Sequence, residues 1–140
     1  MKKDVLITIK GLQNYEDQEE DRVELVTRGS FYLKNDDYYI TYKESELTGL
    51  GSTTTTVKIE PERVTVLRFG ETRSHMVFEE GQKHISYYDT AAGALTVGIS
   101  TKRIQNRLNA RGGRLMIDYA MEINHSLTGE NACDISVREL

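Results

Sequence analysis

The feature that most constrains the fold is a two-residue alternation of apolar and polar side chains between residues 113 and 126. The odd positions of this segment carry large apolar side chains, which are Leu115, Ile117, Tyr119, Met121 and Ile123. Successive side chains of a β-strand point to opposite faces, so the segment forms a strand with one apolar and one polar face. Similar alternation recurs along most of the chain, which predicts an antiparallel sheet that closes, or nearly closes, on itself.

Alternation and turn residues together predict about nine or ten consecutive strands. The predicted strands span residues 4–12, 22–35, 38–45, 53–59, 63–69, 72–79, 84–89, 94–108 and 113–126, and a last strand contains Cys133, Ile135 and Val137. Residues 102–111 also fit a helical turn with Ile104 and Leu108 four positions apart, but we favour a strand there. Residues 127–131 are predicted to form a polar turn.

Consecutive strands joined by short turns usually pair with their neighbours, and a meander of this length removes its unpaired edges by closing. The prediction is therefore all-β: a single domain over residues 1–140 that forms one antiparallel up-and-down barrel of about 8–10 strands. Barrels of this width either fill their interior with side chains or hold one small ligand. Gly29, in the middle of a predicted strand, indicates a bulge or a sharp bend. The acidic residues 14–21 are predicted to form an exposed loop.

Composition excludes several classes of function. The formal net charge of −4 argues against general binding to nucleic acid or to an anionic membrane, because both need a basic surface. Cys133 is the sole cysteine, which rules out an intramolecular disulfide and a cysteine-rich zinc site. We find no signal peptide and no apolar run long enough to cross a membrane, so a cytoplasmic protein is expected.

Several short segments follow one another in a distinctive order. They are Asp37-Tyr38-Tyr39-Ile40-Thr41-Tyr42-Lys43-Glu44, Thr53-Thr54-Thr55, Arg68-Phe69-Gly70, Met76-Val77-Phe78, Tyr88-Asp89-Thr90, Gly93-Ala94-Leu95, Thr101 and Gly113-Arg114-Leu115. In order and spacing, over nearly the whole chain, they resemble the YwiB-like family of small bacterial proteins. The resemblance implies a calycin-like β-barrel related in shape to lipocalins. It implies no established activity, substrate or catalytic residue.

Two charged residues lie on the same face of their strands as the apolar side chains. Glu44 shares a phase with Tyr42, and Arg68 shares one with Val66. Because an isolated buried charge is costly, two opposite charges that point into the barrel are expected to pair. Such a pair could form the polar floor of a ligand pocket, in which Arg68 orients a carboxylate or phosphate. Alternatively, the two charges lie near a barrel rim and are solvated, or they form a structural pair.

Aromatic side chains on inward phases offer apolar walls for such a pocket. They are Phe31, Tyr42, Phe78, Tyr87 and Tyr119. Ordinary core packing explains these residues at least as well in a narrow barrel. Buried tyrosine hydroxyls need hydrogen-bond partners, however, so several inward tyrosines favour a partly polar interior.

The remaining reactive side chains show no pattern of a metal site or a catalytic centre. His75, His84 and His125 do not match any metal-binding motif, and we interpret His125 as a histidine at the rim. Cys133 lies on an apolar phase and is interpreted as a small buried side chain. No metal, cofactor or catalytic residue is therefore expected.

The function that we favour from the sequence is non-enzymatic binding of a small hydrophobic or anionic ligand in the barrel interior or its mouth. The predicted lining residues are Tyr42, Glu44, Arg68, Phe78 and Tyr119. This hypothesis depends on fold analogy and strand phase, not on a motif. The oligomeric state is left open.

A different class of function remains as an alternative. Residues 102–114 are the most basic part of the chain and form a candidate surface for RNA or an acidic protein partner. Its basic residues include Arg103, Arg107, Arg111 and Arg114. An ordinary solvated hairpin explains the same charges. An enzyme is the third and least favoured alternative, because no catalytic constellation is recognisable.

Overall fold

The computed structural model describes residues 2–14, 21–44, 53–70, 73–90 and 93–140. These ranges form ten β-strands and no helix. The strands are β1 (Lys2–Asn14), β2 (Asp21–Lys34), β3 (Asp37–Lys43), β4 (Thr53–Ile59), β5 (Val64–Gly70), β6 (Ser74–Phe78), β7 (Lys83–Thr90), β8 (Gly93–Asn109), β9 (Gly112–Ile123) and β10 (Ser126–Glu139). No helix in these ranges has the length and hydropathy of a membrane span. Most of the predicted acidic loop lies outside the described residues.

All ten strands belong to one antiparallel sheet in the order β6-β5-β4-β3-β2-β1-β10-β9-β8-β7. Every consecutive pair is hydrogen-bonded except β6 and β7, which lie against each other without a backbone ladder in the described part of the chain. The first strand pairs with the last, so the sheet curls into a nearly closed barrel. The predicted all-β, up-and-down architecture is confirmed. The gap in the ladder lies in the middle of the chain.

Alternate positions of the strands fill the barrel interior. The first and last strands of the chain show the pattern, since Ile7 of β1 stands opposite Val137 of β10, and both are buried. The buried hydrophobic core comprises Val5, Ile7, Phe31, Ile40, Tyr42, Val57, Ile59, Val64, Val66, Phe78, Val97, Ile99, Leu115, Ile117, Ile135 and Val137. The core thus draws on all strands except β7, and burial of its apolar surface supplies the main driving force for folding.

The alternating segment that begins at residue 113 contains a tight turn that the sequence analysis missed. Asn124 and His125 have positive φ angles of 50° and 68°, and they connect β9 to β10. Asparagine tolerates this left-handed conformation, and the Asn124 side chain also accepts a hydrogen bond from the Thr96 N–H at 3.1 Å. The predicted turn at 127–131 was therefore wrong, because these residues belong to β10. His125 lies exposed in the turn.

The ambiguous segment from residue 94 is one long strand, as favoured from the sequence. The register between β8 and β9 shifts between Thr101 and Arg103, which leaves Lys102 as the additional residue of a bulge. Before the bulge Thr101 is buried, and after it Ile104 and Leu108 pack against the core. The side chains of β8 that point into the barrel are therefore at odd positions before the bulge and at even positions after it.

The predicted inward orientation of Tyr87 was wrong. Tyr87 is 78% exposed, whereas its neighbour Tyr88 packs against the core. The register of β7 on β8 explains the difference, since Ser86 lies opposite the buried Val97 and thus shares the inward phase with Tyr88. Pairing with β8 decides which side chains of β7 point inward, although the hydropathy of β7 alone favours the opposite set.

Gly29 permits a close approach of strands and does not form a bulge. The pairing of β1 with β2 continues through Gly29 without a register shift. A Cβ atom at this position would lie 2.4 Å from the Thr41 carbonyl oxygen and 2.5 Å from Cδ1 of Ile7. The predicted bulge is thus absent at this pair of strands, and the missing side chain leaves room for tight packing instead.

We expect the substitution Gly29→Ala to lower the free energy of unfolding by about 1–3 kcal/mol, because the new methyl group overlaps backbone and core atoms. Gly11→Ala is the matched control, since Gly11 also lies in a strand and nothing approaches its Cβ position within 4 Å. The control should leave stability unchanged or raise it by up to about 1 kcal/mol. Urea unfolding of both variants measures the difference, and equal stabilities would contradict the close approach.

Candidate functional site

A row of polar side chains crosses the barrel interior on neighbouring strands. Ser74 of β6 lies opposite Arg68 of β5, which lies opposite Thr55 of β4, which in turn lies opposite Tyr42 of β3. We call Ser74, Arg68, Thr55 and Tyr42 the polar row. The next position along the row is Gly29, whose Cβ position lies 3.1 Å from Cβ of Tyr42. The polar row therefore ends beside a glycine at which neighbouring strands pack closely.

Glu44 follows the end of β3 and turns its carboxylate toward the polar row. Its backbone N–H donates to the Thr53 carbonyl at 2.7 Å, which extends the pairing of β3 with β4 by one residue. Its side chain is only 3% exposed. The Thr55 hydroxyl donates a hydrogen bond of 2.7 Å to Oε1 of Glu44. This contact compensates part of the cost of burying a carboxylate.

Arg68 is the cation that faces Glu44. Its Nε lies 3.8 Å from Oε1 of Glu44, which is an ion pair but is too long for a hydrogen bond. Its Nη1 donates to the Ser74 hydroxyl at 3.5 Å, the limit of a hydrogen bond. The side chain is 22% exposed, so part of it reaches solvent although its Nε is buried. The structure thus brings the two predicted charges together, as expected from their phases.

The opposite wall of the interior comes from β8, β9 and β10. Tyr119 of β9 lies between Thr101 of β8 and Asn131 of β10 in the same register, and both neighbours are buried. The Phe78 ring meets the Tyr119 ring edge to face, with 4.9 Å between centroids. Phe78 is buried among the core residues, so this aromatic pair forms an apolar wall beside the polar groups.

Burial controls the ionisation of the interior tyrosines. Loss of solvent raises the pKa of Tyr42 far above its usual value, and the negative charge of Glu44 adds to the effect. Burial likewise raises the pKa of Tyr119 to about 12. The pKa of Tyr88 also rises through burial, against the opposing effect of the Arg68 charge. These three hydroxyls therefore keep their protons at neutral pH and can donate hydrogen bonds.

Three buried polar atoms have no hydrogen-bond partner among the described residues. They are Nε of Arg68, the hydroxyl oxygen of Tyr88 and Oγ1 of Thr101. Buried polar atoms in folded proteins are nearly always hydrogen-bonded, so each of these needs an explanation. All three belong to residues that face the barrel interior from β5, β7 and β8.

The five residues predicted to line a site all face the interior, but they differ in their surroundings. Tyr42, Glu44 and Arg68 form one polar cluster, and Tyr119 faces it from β9 beside Phe78. A role of any of them in ligand binding stays a prediction. The interior also holds polar residues that the sequence did not single out as site residues, and these include Thr55, Ser74, Tyr88 and Thr101. Strand register is the signal that identifies Thr55 and Ser74, because both pair directly with Arg68.

The other candidate residues lie apart from this cluster or lack chemical activation. Cys133 is partly buried and packs against the core, and burial raises the pKa of its thiol to about 11, which keeps it protonated at neutral pH. His84 contacts Glu79 through Nε2 at 2.9 Å. Among the described residues, no group of three or more histidine, cysteine or acidic side chains could hold a metal ion.

The basic hairpin of β8 and β9 carries less uncompensated charge than its sequence indicates. Lys102 forms an ion pair with Glu130, and Arg114 forms one with Asp134. The hydrogen bond from Arg114 lowers the pKa of Asp134, which confirms that the charges are coupled. An open groove of about 630 Å³ lies on the outer face nearby, lined by residues that include Met116. Binding of RNA or an acidic protein to this surface stays a prediction.

We expect the substitution Thr55→Val to lower the free energy of unfolding by about 1–3 kcal/mol, because the buried Glu44 carboxylate loses its short hydrogen bond. Thr56→Val is the matched control on the same strand, since Thr56 faces the other side and shares a 3.3 Å contact with Thr41. The control should cost less than about 1 kcal/mol. Chemical unfolding of both variants tests the prediction, and losses of equal size would show that Glu44 does not depend on Thr55.

Cys133 should react slowly with thiol reagents in the folded protein. The pKa of about 11, compared with an ordinary value of 9.0, reduces the thiolate fraction about 100-fold near neutral pH. Reaction with Ellman's reagent, followed by absorbance with and without urea, measures the ratio of the two rates. Folded and unfolded rates that agree within a factor of about three would contradict the burial of this thiol.

Comparisons with known proteins agree with this architecture. A family model described as "Domain of unknown function (DUF1934)" matches residues 7–135. The chain is 32% identical over 124 residues to the "Uncharacterized beta-barrel protein YwiB" of Bacillus subtilis (strain 168). The aligned residues cover 88% of this chain and 86% of the relative. The crystal structure of the ywiB protein from Bacillus subtilis matches with a TM-score of 0.81 at 23% identity, over 99% of this chain and 93% of that one. The resemblance to the YwiB-like family is thus confirmed, and the chain belongs to the DUF1934 family of β-barrel proteins.

Proposed function

We propose that this protein binds a small molecule without transforming it, at the polar row in the interior and mouth of a calycin-like barrel. The observation that carries the proposal is the buried Nε of Arg68, which has no hydrogen-bond acceptor among the described residues and lies 3.8 Å from Glu44. A guanidinium group presents five N–H donors, and the described contacts use one of them at a long distance.

The free-energy cost of a buried donor without an acceptor favours a ligand as the hydrogen-bond partner of Nε of Arg68. A buried donor without an acceptor costs about 1–3 kcal/mol, and more when the group is charged. The hydroxyls of Tyr88 and Thr101 add to this cost in the same interior. A ligand that accepts hydrogen bonds from these groups would recover the cost on binding. Small-molecule sites in proteins combine apolar walls with a few placed polar groups, and the interior offers both kinds of side chain.

The chemical state of the interior groups favours binding over catalysis. Tyr42, Tyr119 and Cys133 all have raised pKa values, so they hold their protons at neutral pH. A protonated hydroxyl or thiol donates hydrogen bonds, but it is a weak base and a weak nucleophile. Glu44 accepts a hydrogen bond from Thr55 and faces Arg68, which are contacts that hold a carboxylate in place.

The fluorescent probe 1-anilinonaphthalene-8-sulfonate tests the proposal, because it combines an aromatic body with an anionic group. We expect saturable binding at one site per chain, with an increase in fluorescence. Arg68→Gln should weaken binding about tenfold or more, since a charge-assisted hydrogen bond is lost. Arg107→Gln is the matched control, because Arg107 is exposed on β8. It should bind the probe as the unchanged protein does.

A second variant keeps the test decisive if Arg68→Gln folds poorly. Tyr88→Phe preserves the ring and removes a hydroxyl that has no well-formed hydrogen bond among the described residues, with Ser74 as a weak neighbour. It should leave the stability of the unliganded protein unchanged or increased, yet weaken probe binding. Absence of saturable binding would overturn the proposed function, as would equal affinities of the unchanged protein and both variants.

A further inference from the structure

We infer that the ligand is an amphipathic monocarboxylate, with its carboxylate at Arg68 and its apolar body along the Phe78–Tyr119 wall. This inference rests on the proposed function and names the chemical class that the same site would select. It follows from the hydrogen-bonding types, the charges and the apolar surface of the interior groups.

The unsatisfied interior groups can all donate hydrogen bonds, so the ligand must carry an acceptor. The Arg68 guanidinium has donors only, so any group that satisfies its Nε must supply a lone pair. Tyr88 and Thr101 each carry a hydroxyl that can donate to the same kind of group. A carboxylate has two oxygens with about four acceptor positions, and its planar shape matches the guanidinium group.

The neighbouring charge limits the ligand to at most one negative charge. Oε1 of Glu44 lies 3.8 Å from Nε of Arg68, so the unliganded pair is neutral. A monoanion bound at Arg68 gives the cluster one net negative charge, whereas a phosphate dianion gives it two. Charges that are shielded from water repel one another more strongly than charges on the surface, so a dianion is disfavoured beside Glu44.

The apolar surface beside the cluster determines the other end of the ligand. Phe78 and Tyr119 meet edge to face, and the Arg68 charge lies close enough to Tyr119 to influence its ionisation. Met76 and Met121 pack against the core from β6 and β9. Unbranched methionine side chains adapt to ligands of varied shape. An alkyl or aryl body would therefore lie beside these side chains, next to the charged group.

The experiment is displacement of the bound fluorescent probe by three compounds with the same chain: octanoate, octanol and octyl phosphate. Measurements at about pH 8 keep octyl phosphate mostly a dianion. We expect octanoate to displace the probe at a concentration about tenfold lower than either of the other two. In Arg68→Gln the advantage of octanoate over octanol should disappear, and in Arg107→Gln it should remain.

The outcomes separate this inference from the proposed function. Equal displacement by octanol would show that the site does not recognise a carboxylate, and stronger displacement by octyl phosphate would identify a phosphate site. Either result overturns the monocarboxylate, although probe binding that depends on Arg68 would still support a small-molecule site. Absence of saturable probe binding overturns both.

Discussion

The antiparallel ladder between β1 and β10 is the interaction on which the rest of the structure depends. It extends from Val5 opposite Glu139 to Asn14 opposite Glu130, and it joins two meanders, β1–β6 and β7–β10. Without this ladder each meander would present unpaired strands at both of its edges and one uncovered apolar face. With it, β6 comes to lie against β7, and the inner faces of both meanders enclose one core.

The same curvature creates the candidate site. The polar row belongs to the first meander, whereas Tyr88, Thr101 and Tyr119 belong to the second. They face one another only because the sheet curls, and Gly29 contributes to the close packing where the polar row ends at Tyr42. A charged pair inside such a core contributes little to stability compared with apolar residues of similar size. The presence of Glu44 and Arg68 among so many apolar neighbours is therefore not explained by their contribution to stability.

Strand periodicity predicted most of the fold but not its local irregularities. The alternation of apolar residues correctly predicted that Glu44 and Arg68 point into the interior, because inward positions in a regular strand follow a period of two. It failed at β7, where pairing with β8 turns Tyr88 inward and leaves Tyr87 exposed. The turn at Asn124 was also missed, since the apolar residues on both sides of it, Ile123 and Leu127, stay on odd positions.

The interior polar residues beyond the predicted set show what a single sequence does not contain. Thr55 lies in a run of four threonines, and hydropathy does not distinguish the one that contacts Glu44 from its neighbours. Ser74 and Thr101 are ordinary strand residues until the register places them. Pairing between strands therefore carries the information about the site, and it depends on long-range contacts that periodicity does not encode.

The β1–β10 ladder also has a consequence for synthesis on the ribosome. Nine of the sheet's neighbouring pairs are ladders in the described residues, and eight of them join strands that are consecutive in the chain. Such hairpins can form as soon as both strands emerge. β1 pairs with β2 early, but its other edge stays unpaired until β10 has been made, with more than a hundred residues between them. Pairing two strands that are so far apart in the chain costs loop entropy, and this entropy is lost before the contacts between the strands can form. The nascent barrel therefore exposes an apolar strand edge for most of its translation, which is the stage at which chaperones protect such chains from aggregation.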